Sequence, residues 1–299
     1  MNSLKAIASL SALFFLFTCP ALAKFNYPPN FPEAEVIAYK EASDTKLNLY
    51  VFKPKDWKAS DKRGAIVFFF GGGWKAGSPE QFGEHCKLLA ARGIVAITAD
   101  YRVSSRNQTK AIDCLEDARD AMRWVREQAV ELGVDPQKIA AGGGSAGGHL
   151  AACLGAIRPD KEEISSLPNA LALFNPACML SPFKGKSPWE TDRTEELTDR
   201  MGTSPEKMSP VHHVDAKVPP CIIFHGKADD IVPYFTAESF AEELKKAGVR
   251  CELKGYKGGA HGYFNFGRDN NLAFEETTKQ LDDFLVSLGW LSKKSESSE

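Results

Sequence analysis

The sequence predicts an α/β fold with a mostly parallel central sheet flanked by helices. Three observations predict it. Short apolar runs such as AIVFFF at 65–70 and IVAITA at 94–99 lack the alternation of a one-faced strand, so they read as strands covered on both sides. Stretches with helical spacing separate these runs, the sequence form of repeated strand–helix–strand crossovers. Residues 139–154, IAAGGGSAGGHLAACL, pass from an apolar strand through a small-residue turn into a helix.

In order, 35–39 and 47–52 alternate around the polar EASDT turn and predict an N-terminal hairpin at the sheet edge. The strand at 65–70 ends abruptly in Gly71-Gly72-Gly73-Trp74. Residues 79–92 are a helix stopped by Gly93, 94–99 a buried strand running into Asp100-Tyr101-Arg102, and 110–132 a long amphipathic helix stopped by Gly133. After 138–141 come Ser145 and its helix, then a strand at 170–175. Residues 177–218, rich in Pro, Ser, Thr and charge, break the rhythm and predict a small cap insertion over the site, with Phe183, Trp189 and Met201 shaping acyl and alcohol preference. A strand at 221–225, a helix at 234–247, a strand at 250–256 and a helix at 270–288 close the domain, read as a single one over 24–299.

Composition narrows the partners. The 299 residues are 43% hydrophobic, enough for a sizeable core, and a formal charge of −2 leaves no basic footprint for nucleic acid. Residues 1–23 have the form of a cleaved signal peptide: Lys5, an apolar run over 6–17, and Ala21-Leu22-Ala23 as cleavage site. The run is short of the ~20 residues that span a bilayer, so no membrane span is expected after cleavage and the protein is expected to be secreted or periplasmic. A lipoprotein site at Cys19 is the alternative. Of seven cysteines, Cys86, Cys114, Cys153, Cys178, Cys221 and Cys251 remain in the mature chain. An oxidising compartment permits bridges, but spacing does not choose among the pairings; Cys153 and Cys221 lie in apolar runs and read equally as buried thiols. There is no Cys/His zinc spacing, no P-loop and no dinucleotide fingerprint, so neither metal nor cofactor is expected. The oligomeric state is not set by the sequence.

Chemistry concentrates on Ser145. Gly143-Gly144-Ser145-Ala146-Gly147 fits G-x-S-x-G, a sharp strand-to-helix turn that projects a serine Oγ above a helix N-terminus. A serine needs a base and the base an orienting acid, and in this type of fold the order is serine, acid, histidine. Of the six histidines, His261 is the one that follows the acidic pair Asp229 and Asp230. Asp229 is preferred as the acid, with Asp230 expected to cap the next turn. The glycines after 65–70 offer unobstructed amides for an oxyanion: Gly72 and Gly73, completed by Ala146. Trp74 either walls the substrate pocket or packs. Arg102 reads as a buried guanidinium paired with Asp117 or Asp120.

GGGW at 71–74, DYR at 100–102, GGSAGG at 143–148, HGKADDIVP at 225–233 and GAHGYFN at 259–265, in this order, resemble the α/β-hydrolase superfamily. The resemblance is to carboxylesterases of the hormone-sensitive-lipase and bacterial feruloyl/acetylxylan-esterase-like type. It implies the α/β-hydrolase fold, Ser145 as nucleophile, Asp229 as acid, His261 as base, and oxyanion donors at Gly72, Gly73 and Ala146. A serine esterase of small-molecule or carbohydrate esters, acetyl or feruloyl, is therefore expected. The family's usual histidine before the glycines is Phe70 here, which puts the hydrogen bonding of that loop in question. Other readings are a prolyl-oligopeptidase-type peptidase, which shares the elbow and the acid motif, and a hydrolase fold kept as a binding module.

Overall fold

A strand with apolar residues on both sides needs cover on both faces, and here helices supply it. The computed structural model describes residues 25–42 and 44–293; the signal segment expected at 1–23 lies outside them. The sheet has eight strands: β1 (Glu35–Ala42), β2 (Thr45–Phe52), β3 (Arg63–Phe69), β4 (Val95–Ala99), β5 (Val134–Gly144), β6 (Ala170–Phe174), β7 (Cys221–Gly226) and β8 (Cys251–Tyr256). Their order is β1-β2-β4-β3-β5-β6-β7-β8. Only β2 pairs antiparallel, with β1 and β4, so the predicted hairpin forms one edge and β4 through β8 run parallel. This is the α/β-hydrolase sheet that the motif order implied.

The helices are α1 (Gly83–Arg92), α2 (Ser104–Asn107), α3 (Ala111–Glu127), α4 (Ala146–Ala156), α5 (Thr194–Met201), α6 (Tyr234–Lys246) and α7 (Leu272–Ser287). Strand alternation sorts the core into two layers. Ile66 and Phe68 join Cys86 and Leu89 of α1 and Leu281 and Leu285 of α7, whereas Val67 and Phe69 join Leu115 of α3, Leu150 of α4 and Phe240 of α6. All of β3 from Ala65 onward is inaccessible to solvent, which is why its sequence shows no polar face.

Two expectations change. The helix expected to reach residue 132 ends at Glu127. Beyond it the chain turns: the Trp57 indole donates to the Leu132 carbonyl at 2.8 Å and Arg63 N–H donates to the Gly133 carbonyl at 3.0 Å, drawing the segment into β5. Residues 177–218 look polar in sequence, yet Cys178, Met179, Leu180, Met201, Met208 and Val211 are buried in the layer that contains α3, α4 and α6. Met201 is thus a core residue. The segment is stitched down by Val211 N–H to the Cys178 carbonyl at 3.0 Å and Ser209 Oγ accepting from Leu180 N–H at 3.0 Å.

Cys86, Cys114, Cys153, Cys178 and Cys221 are buried free thiols, and Cys251 is a half-buried one. Cys221 and Cys251 face each other across β7 and β8. Among the described residues no helix is long and apolar enough to cross a membrane.

Candidate active site

Ser145 follows the last residue of β5 with φ 53° and ψ −117°, a conformation that L-residues occupy only under constraint. The constraint is close backbone packing. A Cβ on Gly147 would lie 1.9 Å from the Phe69 carbonyl oxygen, so α4 reaches β3 only because that position is glycine. Ser145 N–H donates to the Phe174 carbonyl at 2.9 Å, fixing the turn between β5 and β6. Its side chain points out at the carboxyl end of the parallel strands, where an open α/β sheet gathers its loops.

Those loops bring the three predicted partners together. His261 lies in the loop after β8, with Nε2 2.9 Å from Ser145 Oγ and Nδ1 2.8 Å from Asp229 Oδ2. A carboxylate can only accept, so Nδ1 carries the proton and Nε2 is left to accept from the serine hydroxyl. The loop is held by Gly262 N–H donating to Asn175 Oδ1 at 3.1 Å and by Arg268 Nη1 donating to the His261 carbonyl at 3.3 Å.

Asp229 is buried and Asp230 is exposed, which separates the acidic pair. The turn expected to be capped by Asp230 is capped by Asp229 itself: its Oδ1 accepts from Ile231 N–H at 3.0 Å and Val232 N–H at 2.8 Å. Its Oδ2 faces His261 and lies 3.3 Å from His225 Nε2, which is also 2.8 Å from the Val232 carbonyl. Burial by itself would raise this carboxyl, but the hydrogen bonds with His225 and His261 outweigh it and hold the group well below the usual carboxylate range.

The glycine loop is built to present amides. Gly72, Gly73 and Trp74 all have positive φ, at 130°, 63° and 61°, and the Gly72 carbonyl accepts from Lys75 and Ala76 N–H. Among the described residues neither the Gly72 nor the Gly73 amide meets an acceptor. Ala146, the first residue of α4, has no carbonyl one helical turn earlier to bond. Phe70 costs the loop a side-chain hydrogen bond, and other groups supply the anchoring. The Phe70 ring stacks on Tyr101 at 4.0 Å between centroids, the Tyr101 hydroxyl donates to the Phe70 carbonyl at 2.7 Å, and Arg106 Nη1 donates to the Gly77 carbonyl at 2.8 Å. Beneath them burial lifts the Asp100 carboxyl to about 6, while it accepts from Tyr101 N–H and the Tyr27 hydroxyl.

Of the two readings of Trp74, packing is the one the structure displays: the ring is buried and meets His149 edge-on at 4.9 Å. It also borders a cavity of about 230 Å³ with Lys75, Ser104, Gln108, Glu196 and Arg200, which none of Ser145, Asp229 and His261 lines. Arg102 makes a two-pronged ion pair with fully buried Asp117, both contacts at 2.8 Å; Asp120 instead meets Lys40 and Arg123. Sequence reasoning missed Gln81, Tyr101, Asn175, His225 and Asn265 as supports of the site. Asn265 closes the GAHGYFN motif and His225 opens HGKADDIVP, whereas nothing in the sequence marks Gln81.

Parallel sheet, serine elbow and loop histidine together define an α/β-hydrolase. The BD-FAE family model matches residues 49–244, well over half of the chain, and the chain belongs to that family. A dienelactone hydrolase family model also matches, over residues 201–288. Among curated relatives, Esterase LipC of Mycobacterium tuberculosis is 30% identical over 66% of this chain and 52% of its own length. Carboxylesterase NlhH of the same organism is 27% identical over 87% of this chain and 85% of its own. The chain spans about half the length of the first curated relatives it matches. Among solved structures, native esterase 2 of Thermogutta terrifontis is 54% identical over 91% of this chain and 99% of its own, with a TM-score of 0.86. The same esterase is described bound to propionate and phosphonylated by sarin.

Proposed function

We propose that this chain is an exported serine carboxylesterase of small acyl esters, with acetyl or feruloyl esters of carbohydrate as its natural substrates. One observation carries the reading: the unbroken hydrogen-bonded chain from Ser145 Oγ through His261 to Asp229. His261 Nε2 takes the hydroxyl proton as Oγ bonds to the ester carbonyl carbon, and the imidazolium so formed is stabilised by ionised Asp229. The Gly72, Gly73 and Ala146 amides donate to the oxyanion. Collapse of the intermediate breaks the bond to the alcohol, which leaves with the proton from His261. Water then repeats the sequence on the acyl-enzyme, releasing the carboxylic acid and restoring Ser145.

Kinship supports the acyl side, since the Thermogutta esterase binds propionate and butyrate. The segment at 177–218 is the proposed cap. Export rests on Lys5, the apolar run at 6–17 and Ala21-Leu22-Ala23. The test is Ser145→Ala assayed with p-nitrophenyl acetate on the mature chain. Turnover should fall by a factor on the order of 10⁴ or more, with loss of fluorophosphonate labelling. Wild-type turnover in the variant overturns the reading. Acetylated xylan and methyl ferulate assayed beside it decide the carbohydrate substrates, which fail if neither is hydrolysed.

A further inference from the structure

The residue before the nucleophile, Gly144, has no side chain, and the space beside it is filled from another element. A Cβ on Gly144 would lie 2.6 Å from the Phe264 ring and 3.4 Å from Gln81 Nε2. Gln81 belongs to the 3-10 turn Pro79–Phe82 and is buried. Its Oε1 accepts from Gly71 N–H at 2.6 Å, and its Nε2 donates to Asn265 Oδ1 at 2.9 Å. Gly71 opens the loop that carries the Gly72 and Gly73 amides. Asn265 closes the loop that carries His261, and its own N–H donates to the Gly262 carbonyl at 3.1 Å. One buried amide therefore ties together the two loops that flank Ser145. Gly71 itself sits against the elbow, where an added Cβ would come 3.0 Å from the Gly144 carbonyl oxygen and 3.3 Å from Ser145 Cβ.

We propose that Gln81 is a positioning residue that sets the glycine loop against the histidine loop, so that the oxyanion donors and the base address one carbonyl. The proposal rests on the esterase reading. The physical ground is preorganisation: amide donors stabilise a developing oxyanion only when they are already aimed at it, and a loop held at one end alone would have to be ordered during the reaction. Glutamine suits the place because one neutral group accepts from Gly71 and donates to Asn265 together. Methionine has nearly the same shape but has no donor and only a weak acceptor in its sulfur. Glutamate still accepts from Gly71, and can be met by Asn265 only if that amide turns over.

The experiment compares wild type, Gln81→Met, Gln81→Glu and Asn265→Leu, each normalised by active-site titration with a fluorophosphonate so that misfolded protein is not counted. Inhibition is measured with a trifluoromethyl ketone, which adds to a serine as a hemiketal oxyanion. Gln81→Met is expected to lower kcat for p-nitrophenyl acetate by roughly 10- to 100-fold, with KM within about threefold, and to weaken the ketone by the same factor, because only transition-state contacts are lost. Gln81→Glu should recover most of kcat. Asn265→Leu breaks the bridge from the other side and must reproduce the paired loss, even if Gln81→Met does not fold. Unchanged kcat and ketone affinity in the variants, or a loss confined to KM, overturns the role of Gln81. A wild type that neither titrates nor binds the ketone overturns the esterase reading, and this proposal with it.

Discussion

Asp229 meets His261 with one carboxylate oxygen and holds its own turn with the other. Oδ2 lies 2.8 Å from His261 Nδ1, while Oδ1 accepts the Ile231 and Val232 amides. The acid cannot swing away from the imidazole without breaking the turn that carries it. Exposed Asp230, its neighbour, has no such role.

Asp229→Asn keeps an oxygen for the turn and a similar shape, but removes the charge that favours the Nδ1–H tautomer and the imidazolium. Its kcat is expected to fall by a factor on the order of 10³ to 10⁴, with Asp230→Asn within about twofold of wild type. Steady-state hydrolysis of p-nitrophenyl acetate measures both. Equal losses would show that the pair acts through general charge and not through one carboxylate.

The pH profile should separate base from acid. Asp229 is held well below the ordinary carboxylate range, so it stays ionised from about pH 4 upward. An acid limb of kcat/KM between about pH 5 and 8 therefore cannot come from protonation of Asp229. Appearance of a protonated Asp229 carboxyl in that range, followed by its C=O stretch in the infrared, would overturn this.

Stability should depend on pH through a histidine outside the triad. His85 is fully buried among Phe68, Phe82, Phe174, Phe264 and Phe274, neither ring nitrogen has a partner among the described residues, and burial lowers it to about 3. The unfolded chain takes up a proton near the ordinary histidine value and the folded chain does not. The stability due to neutral His85 is thus full above about pH 6.5 and is lost as pH falls from there towards 3. His149, lowered by burial to about 4, acts in the same direction. Replacing His85 by Phe should flatten the decline by about 1.4 kcal/mol per pH unit between about pH 6 and 4, read from urea unfolding. Parallel curves for variant and wild type would refute it.

Gly147→Ala and Gly73→Ala should fail in different ways. At Gly147 the new methyl collides with the Phe69 carbonyl oxygen, backbone that cannot give way, so a loss of about 3 kcal/mol or more and little soluble protein are expected. At Gly73 no atom lies within 4 Å and only the φ of 63° resists, so the cost is about 1 kcal/mol and the protein folds. Its kcat should nevertheless drop, because a strained residue no longer presents its amide steadily. Thermal unfolding and turnover on the same preparations separate the two, and a stable Gly147→Ala would refute the close-packing argument.

By itself the sequence determined the alternation of strands and helices, the edge hairpin, the elbow, and the chain order that brought Ser145, Asp229 and His261 forward as partners. Each of these is written locally, in the period of apolar residues, in small residues where backbones touch, or in the order of motifs. Tertiary structure decided what depends on segments far apart in the chain. Asp229 rather than Asp230 faces the imidazole because the turn after β7 points one carboxylate inward. Tyr101 and Arg106 anchor the glycine loop where Phe70 cannot, because β4 lies beside β3. The polar-looking 177–218 segment hides its methionines because α3, α4 and α6 offer them an apolar floor. Gln81, with no motif of its own, reaches the site only because a helical turn passes behind Gly144, and hydrogen bonds across such distances in sequence leave no local pattern.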